Sequence, residues 1–455
     1  MKKLLLVLTV LVIRLAAWGT PSAADDRPVA FVHAVIIDGS GNAPLEDGTL
    51  VVRGSKIEAV GPGSEISVPA GALVIDARGR ALMPGLADMH VHLLGGWDGE
   101  SVDMLGYRRY LNALLYAGVT TVLDMGSVKP WIIQLRNEIA AGRLTGPRVY
   151  CAGPLIDGPD PAWPPISYSV CSAAQIPGIV AGLKQDGVDI IKAYIGLSNP
   201  MMFALAAEAR KNSLPVFVDQ SWRNGSPEIA AAGIAAFAHT PDFIWGSEMT
   251  TMLKDKGVRF ISTLSVVEAK SKRRLEDLSF LESPLIKGST PPDFVADLRA
   301  YAKEAAESPS WNKGPKQQNL QRFNNQKANL KKLFDAGLEF AAGTDSPYPG
   351  SFLGEGLHRE LELLVEAGLT PLAALTLATR NAARLMGAEA EWGSLAPGQR
   401  ADIILINGRP DRRIADTRMI DMIMRQGRIL DRTKLVFNAA ADPGFRPVSP
   451  VSAAK

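Results

Sequence analysis

Leu82-Met-Pro-Gly-Leu-Ala-Asp-Met-His-Val-His-Leu93 is the stretch that decides how this chain folds. Pro84-Gly85 supplies a turn, and Leu86-Ala-Asp-Met leads into an alternating His-Val-His, the pattern of a short buried strand emerging into a loop. Side chains two positions apart on a strand point to the same side, so His90 and His92 can offer their imidazole nitrogens to one ion at the strand end. A His-x-His pair alone more often packs or lies on a surface, so its weight depends on what surrounds it.

Outward from that strand, apolar strand-like runs recur at 119–123, 148–151, 188–192, 215–218, 235–238, 259–263 and 338–342, with helical patterns between them. Eight strand–helix units over about 300 residues predict a parallel (β/α)8 barrel with its helices outside. Before them, β-like stretches at 30–37, 49–53 and 56–60 are separated by Gly-rich turns, and β-like text returns at 401–406, 422–424 and 427–430. The expected organisation is therefore a small sheet domain completed by both chain ends, residues 25–80 and 389–455, around a barrel over 81–388.

The first 24 residues read differently, because Lys2-Lys3 precedes an apolar run at 4–13 and Ser22-Ala23-Ala24 offers small residues for cleavage. This is the pattern of a secretory signal peptide, with a mature chain starting near Asp25 and exported to the periplasm or secreted. The apolar run is broken at Arg14 and too short to span a bilayer, so stable membrane insertion is not expected once the leader is removed.

With 455 residues, 47% of them apolar, the chain can bury a large core without staples. A net charge of +2 and no long basic run give no footprint for nucleic acid; Lys272-Arg-Arg274 is followed at once by Glu276 and Asp277 and reads as a solvated helix face. In an oxidising compartment, Cys151 and Cys171, which flank a Pro-rich loop, are compatible with a loop-closing disulfide and equally with a buried small thiol at a strand end. The partner class is a small-molecule substrate, and association into a homo-oligomer is left open.

The motifs Pro84-Gly-Leu-Ala-Asp-Met-His-Val-His92, Gly343-Thr-Asp-Ser346, Gly393-Ser-Leu-Ala-Pro-Gly-Gln-Arg-Ala-Asp-Ile403 and the helical stretch 369–383 together resemble the metal-dependent amidohydrolase superfamily, nearest its imidazolonepropionase-like and prolidase-like branches. The resemblance covers nearly the whole mature chain. It implies a (β/α)8 barrel with a composite β-sandwich formed by both chain ends, and one or two divalent metal ions, zinc first with manganese or iron as alternatives, at the C-terminal ends of the barrel strands. His90 and His92 match the first-strand ligands, and Lys192 in Ile190-Ile-Lys-Ala-Tyr194 matches a fourth-strand lysine that bridges two metals when carboxylated. His239 in Phe237-Ala-His-Thr240 matches the sixth-strand histidine, and Asp345 the eighth-strand aspartate that binds metal and handles the proton of the attacking water.

The chain departs from the family pattern at the fifth strand, where Pro215-Val-Phe-Val-Asp219 places a carboxylate in the position of a histidine. Asp219 is compatible with a two-metal centre, a single-metal enzyme or a site that has lost its chemistry; an added carboxylate makes the centre less positive and tilts it toward harder ions such as manganese. Tyr194, two residues past Lys192 on the same strand face, is a candidate to bind substrate or its oxyanion. His358, at the start of a helix after the Asp345 loop, is a second candidate, with helix packing as its alternative role. The expected reaction is metal-dependent hydrolysis of a carbon–nitrogen amide bond, other than ordinary protein peptide bonds, in a dipeptide or N-acyl amino acid. Opening of a lactone, lactam or cyclic imide, non-hydrolytic lyase or decarboxylase chemistry, and plain small-ligand binding by a degenerate barrel are the alternatives. The loop 152–170 and the segment around Trp222 hint at an apolar or aromatic acyl group.

Overall fold

The computed structural model describes residues 27–219, 227–243, 246–309 and 314–442. The leader expected over 1–24 and the segment around Trp222 lie outside the described residues.

Eight short parallel strands form the barrel: Leu86–Val91, Val119–Asp124, Arg148–Cys151, Ile191–Ala193, Val216–Val218, Ala236–Phe237, Arg259–Ile261 and Phe340–Ala341. The first three pair with one another, and the last five form a second arc. Backbone hydrogen bonds join the arcs: Asp189 N donates to Cys151 O on one side, and Met89 N to Ala342 O and His92 N to Ser346 O on the other.

Alternation along these strands sorts their residues. Leu123, Ile190, Phe217, Ala236, Ile261 and Ala341 belong to a cluster inside the barrel, while their neighbours Ile191, Val216, Val218, Phe237, Phe260 and Phe340 pack in the larger core that includes the surrounding helices. The helix Asn199–Lys211 illustrates that outer layer: Met202, Leu205, Ala206 and Ala209 recur at helical spacing and are buried, Pro200 opens the first turn, and Arg210 and Lys211 suit the negative end of the helix dipole.

The composite β-sandwich is observed, and it draws on both chain ends. In one sheet, Arg428–Ile429, Ile420–Arg425, Ile403–Ile406, Ala81–Pro84, Val29–Ile36, Leu45–Arg53 and Lys56–Pro62 follow in order, with Leu73–Asp76 pairing to Val29–Ile36. Phe31, Leu50, Ile57, Leu82, Ile403 and Leu405 form its own apolar core. Residues 81–84, expected to open the barrel, pair instead with 403–406, so the barrel begins after Gly85. That glycine is required, because a Cβ there would stand 2.2 Å from Thr120 Oγ1.

The loop 152–170 carries a short parallel pair, Leu155–Asp157 with Ser167–Ser169, that extends the second arc. The two cysteines are free thiols, which corrects the disulfide alternative: Cys151 is buried at its strand end with Sγ 3.7 Å from Arg136, whereas Cys171 is exposed.

Candidate active site

The first barrel strand does not run straight into the site. Ala87 and Met89 lie in the inner cluster, so strict alternation would send His90 and His92 outward. The pairing with the second strand slips between Asp88 and Val91, and a slip of this kind re-aims the residues beyond it. His90 and His92 consequently face the barrel mouth together, their rings 5.4 Å apart.

Asp345 meets them from the eighth strand. Its Oδ1 is 3.2 Å from His90 Nε2 and 3.1 Å from His92 Nε2. Gly343 makes this approach possible, since a Cβ there would stand 2.9 Å from the His90 Cβ. Asp345 itself has φ of 58°, a left-handed conformation that costs a non-glycine residue and is stored most often at working sites. The backbone around it is held by buried Asp88, whose carboxylate accepts from Thr344 N at 3.0 Å and Thr344 Oγ1 at 2.7 Å and from His90 N at 3.2 Å.

His90, His92 and Asp345 offer donor atoms within 4.8 Å of one another and fit a divalent metal ion. The histidines are also oriented for that role: His90 Nδ1 donates to Ala238 O at 3.0 Å and His92 Nδ1 lies 3.4 Å from Gly126 O, which turns both Nε2 atoms inward. Burial, with the nearby Lys192 charge, holds His90 well below the usual imidazole range, so it is neutral as a metal ligand must be. Burial also opposes charge on His92, but the hydrogen bond and charge of Asp345 outweigh it and raise that group. For Asp345, burial is overcome by His90, His92 and Lys270, and the carboxyl stays ionised far below its ordinary range.

The remaining expected ligands form a second group beside the first. Lys192 Nζ is 3.1 Å from Asp219 Oδ2, and His239 Nε2 is 3.3 Å from the same oxygen. His239 stacks obliquely on His90 at 4.8 Å, and its Nδ1 is 2.7 Å from Thr263 Oγ1. Lys192 and His239 hold Asp219 ionised against its burial. All six expected ligands are thus brought together at the C-terminal ends of the strands.

A cavity of about 180 Å³ opens from this cluster, lined by His92, Asp345, Leu155, Trp163, Tyr194 and Tyr348 among others. Tyr194 accepts from Trp163 Nε1 at 3.1 Å, and burial pushes its hydroxyl far above the usual range, so it remains a donor at neutral pH. His358 is not brought to the site: its ring is fully buried, with Nε2 donating to Ala117 O and Nδ1 facing Thr417 Oγ1, both at 2.9 Å. Its expected substrate role gives way to a packing one because both nitrogens are already engaged.

Three contributors escaped the sequence reading. Asp88 stands inside the decisive motif and carried a signal in its burial between apolar neighbours. Thr263 lies between the strand Arg259–Ile261 and the helix Leu264–Lys270 at φ of 49° and had none. Lys270 ends the helix Leu264–Lys270 and reaches the cavity wall, a placement that depends wholly on how that helix returns.

Residues 81–430 match the model described as the amidohydrolase family. The imidazolonepropionase of Chloroflexus aggregans is 25% identical over 406 residues, spanning 80% of this chain and 85% of that protein. An adenine deaminase from a Ruegeria species is 23% identical, over 85% of this chain and 54% of that protein. Among solved structures, a Xaa-Pro dipeptidase with bound methionine in its active site superimposes with a TM-score of 0.71 at 21% identity, covering 89% of this chain and 100% of that one.

Proposed function

Because this chain belongs to the amidohydrolase family, we propose that it hydrolyses a carbon–nitrogen amide bond in a small substrate of the dipeptide or N-acyl amino acid type. The observation that carries this reading is the convergence of His90, His92 and an ionised Asp345 at the mouth of a cavity with an apolar wall. A divalent ion bound there would acidify water and polarise the substrate carbonyl.

The protein's own groups supply the remaining parts. Asp345 is ionised and meets both histidines through Oδ1, so its Oδ2 can take the proton of the attacking water and hand it to the leaving nitrogen. Tyr194, oriented by Trp163, is positioned to donate its hydroxyl hydrogen to the oxygen that gains charge. Leu155 and Trp163 give the acyl group an apolar surface and keep bulk water off it. The leader pattern at 1–24 supports an exported, periplasmic or secreted setting, which fractionation of cells expressing the full chain would check.

The test is turnover of a panel of dipeptides and N-acyl amino acids by the mature chain loaded with zinc, manganese or iron, run in oxygen-18 water. Label in the released acid is expected. Turnover without label would make the chemistry non-hydrolytic, and no turnover together with no metal uptake would leave a small-ligand-binding barrel.

A further inference from the structure

Lys270 lines the same cavity, 47% exposed, and puts Nζ 3.8 Å from Asp345 Oδ2, too far for a hydrogen bond. Among the described residues that line the cavity, Lys270 is the one lysine or arginine. Its Nζ also lies 5.6 Å from the centre of the Tyr348 ring, which leaves the cation on an aromatic wall rather than in a full ion pair.

The short helix beneath Lys270 is fixed with respect to Asp345. Buried Glu360 accepts from Leu264 N at 3.0 Å and Ser265 N at 2.6 Å, and Ser265 Oγ donates to Thr344 O at 3.2 Å, on the residue next to Asp345. Near the other end, buried Glu268 is gripped by Arg359 at 2.7 Å and Arg273 at 2.9 Å. A cation on so firmly held a backbone samples a small volume beside the reacting groups, which is what orientation of a substrate needs.

We propose that Lys270 binds the carboxylate of the leaving group, which narrows the substrate class to N-acyl α-amino acids and dipeptides with a free C-terminus. This rests on the hydrolase reading. The reason is one of reach. The leaving nitrogen must come within hydrogen-bond distance of Asp345 Oδ2 to receive its proton. A cation 3.8 Å from that oxygen then meets an anion carried next to the nitrogen, and covalent geometry puts an α-carboxylate oxygen about 3 Å from it. A carboxylate several carbons further out, or a neutral leaving amine, would leave the ammonium with no hydrogen-bonded anion from the substrate and Asp345 only at 3.8 Å. Glu100, the other acidic group among the described lining residues besides Asp345, is solvent-exposed.

The test pairs N-acetyl-L-phenylalanine with N-acetyl-2-phenylethylamine, which differ only in the carboxylate, on the metal-loaded mature chain. A preference of about tenfold or more in kcat/KM for the carboxylate is expected, carried mainly in KM, because a half-exposed charge-assisted contact is worth about that much. Lys270→Met should bring the ratio toward unity, Lys270→Arg should keep most of it, and Lys270→Glu should invert it. Equal losses on both substrates, or no preference in the parent, would overturn the proposal while leaving the hydrolase reading intact. Calorimetric binding of L-phenylalanine against 2-phenylethylamine separates the other failure: selective binding lost in Lys270→Met without turnover of either substrate would keep the lysine's role and discard the hydrolase.

Discussion

Lys192 Nζ and Asp219 Oδ2 stand 3.1 Å apart at the bottom of the site, with the lysine 1% exposed. The departure from the family pattern at the fifth strand therefore supplies a counter-charge. A histidine at 219 would leave this ammonium without that anion beside it, whereas Asp219 lies within ion-pair distance of both Lys192 and His239, although Lys192 Nζ makes no hydrogen bond among the described residues. Carboxylation of Lys192 would place a second anion against Asp219, and that arrangement needs a second cation to hold it.

Removing one member of a buried pair strands the other, which costs far more than the pair contributes. Asp219→Asn should lower unfolding stability by about 3 kcal/mol, measured by denaturant unfolding with an unaltered slope. Adding Lys192→Met to that variant should recover more than half of the loss. Strictly additive losses in the double variant would mean that the two side chains are not coupled.

The same pairing bears on metal content. With Lys192 within ion-pair distance of Asp219, the three donors His90, His92 and Asp345 are the set available among the described residues, and mass spectrometry of protein expressed with bicarbonate should find about one equivalent of metal. His90→Ala should weaken retention at least tenfold, while Lys192→Met should keep it. About two equivalents, together with the mass gain of one carbon dioxide on the intact chain, would show a bridged pair instead.

Thr263 acts at one remove from the chemistry. Its hydroxyl is 2.7 Å from His239 Nδ1, and groups that hold the far nitrogen of a site imidazole set where the near one points. Thr263→Ala should reduce kcat/KM about tenfold with little change in the melting temperature, and Thr263→Ser should restore it. A matching fall in the serine variant would assign the loss to the backbone rather than to the hydroxyl.

Much of this architecture was legible because it is written in local patterns. The barrel strands announce themselves as apolar runs, and His90, His92, Lys192, His239 and Asp345 lie at or just beyond the C-terminal ends of four of them, so the barrel brings them to one mouth. Even Asp219 could be located by its place after 215–218. The illegible parts depend on long-range returns of the chain. The slip between Asp88 and Val91 is a matter of pairing register, which no single strand encodes. His358 occupies a helix start that looks accessible in sequence, yet Thr417, 59 residues later, closes over it. Lys270 reaches the cavity only because Glu360 and Thr344 anchor its helix from distant segments.

His358 makes the last prediction, and it concerns acid stability. Burial, with the Arg418 charge behind it, lowers this imidazole from 6.5 to about 4, despite the hydrogen bond to Ala117 and the carboxylates Glu355 and Glu362 nearby. The folded value lies below the unfolded one, so between the two the unfolded chain binds the extra proton. Stability is therefore complete above 6.5 and drains away as pH falls toward 4, by about 3 kcal/mol in all. Glu360, raised to about 7 by burial, pulls the opposite way over much of this range, since its protonation relieves a charge that folding disfavours. The informative quantity is thus the difference between variant and parent. His358→Gln can still donate to Ala117 O but does not titrate, so its unfolding free energy should vary less steeply than the parent's between pH 6.5 and pH 4.5. The measurement is denaturant unfolding of both proteins at intervals across that window, and parallel curves would show that His358 takes no part in the acid transition.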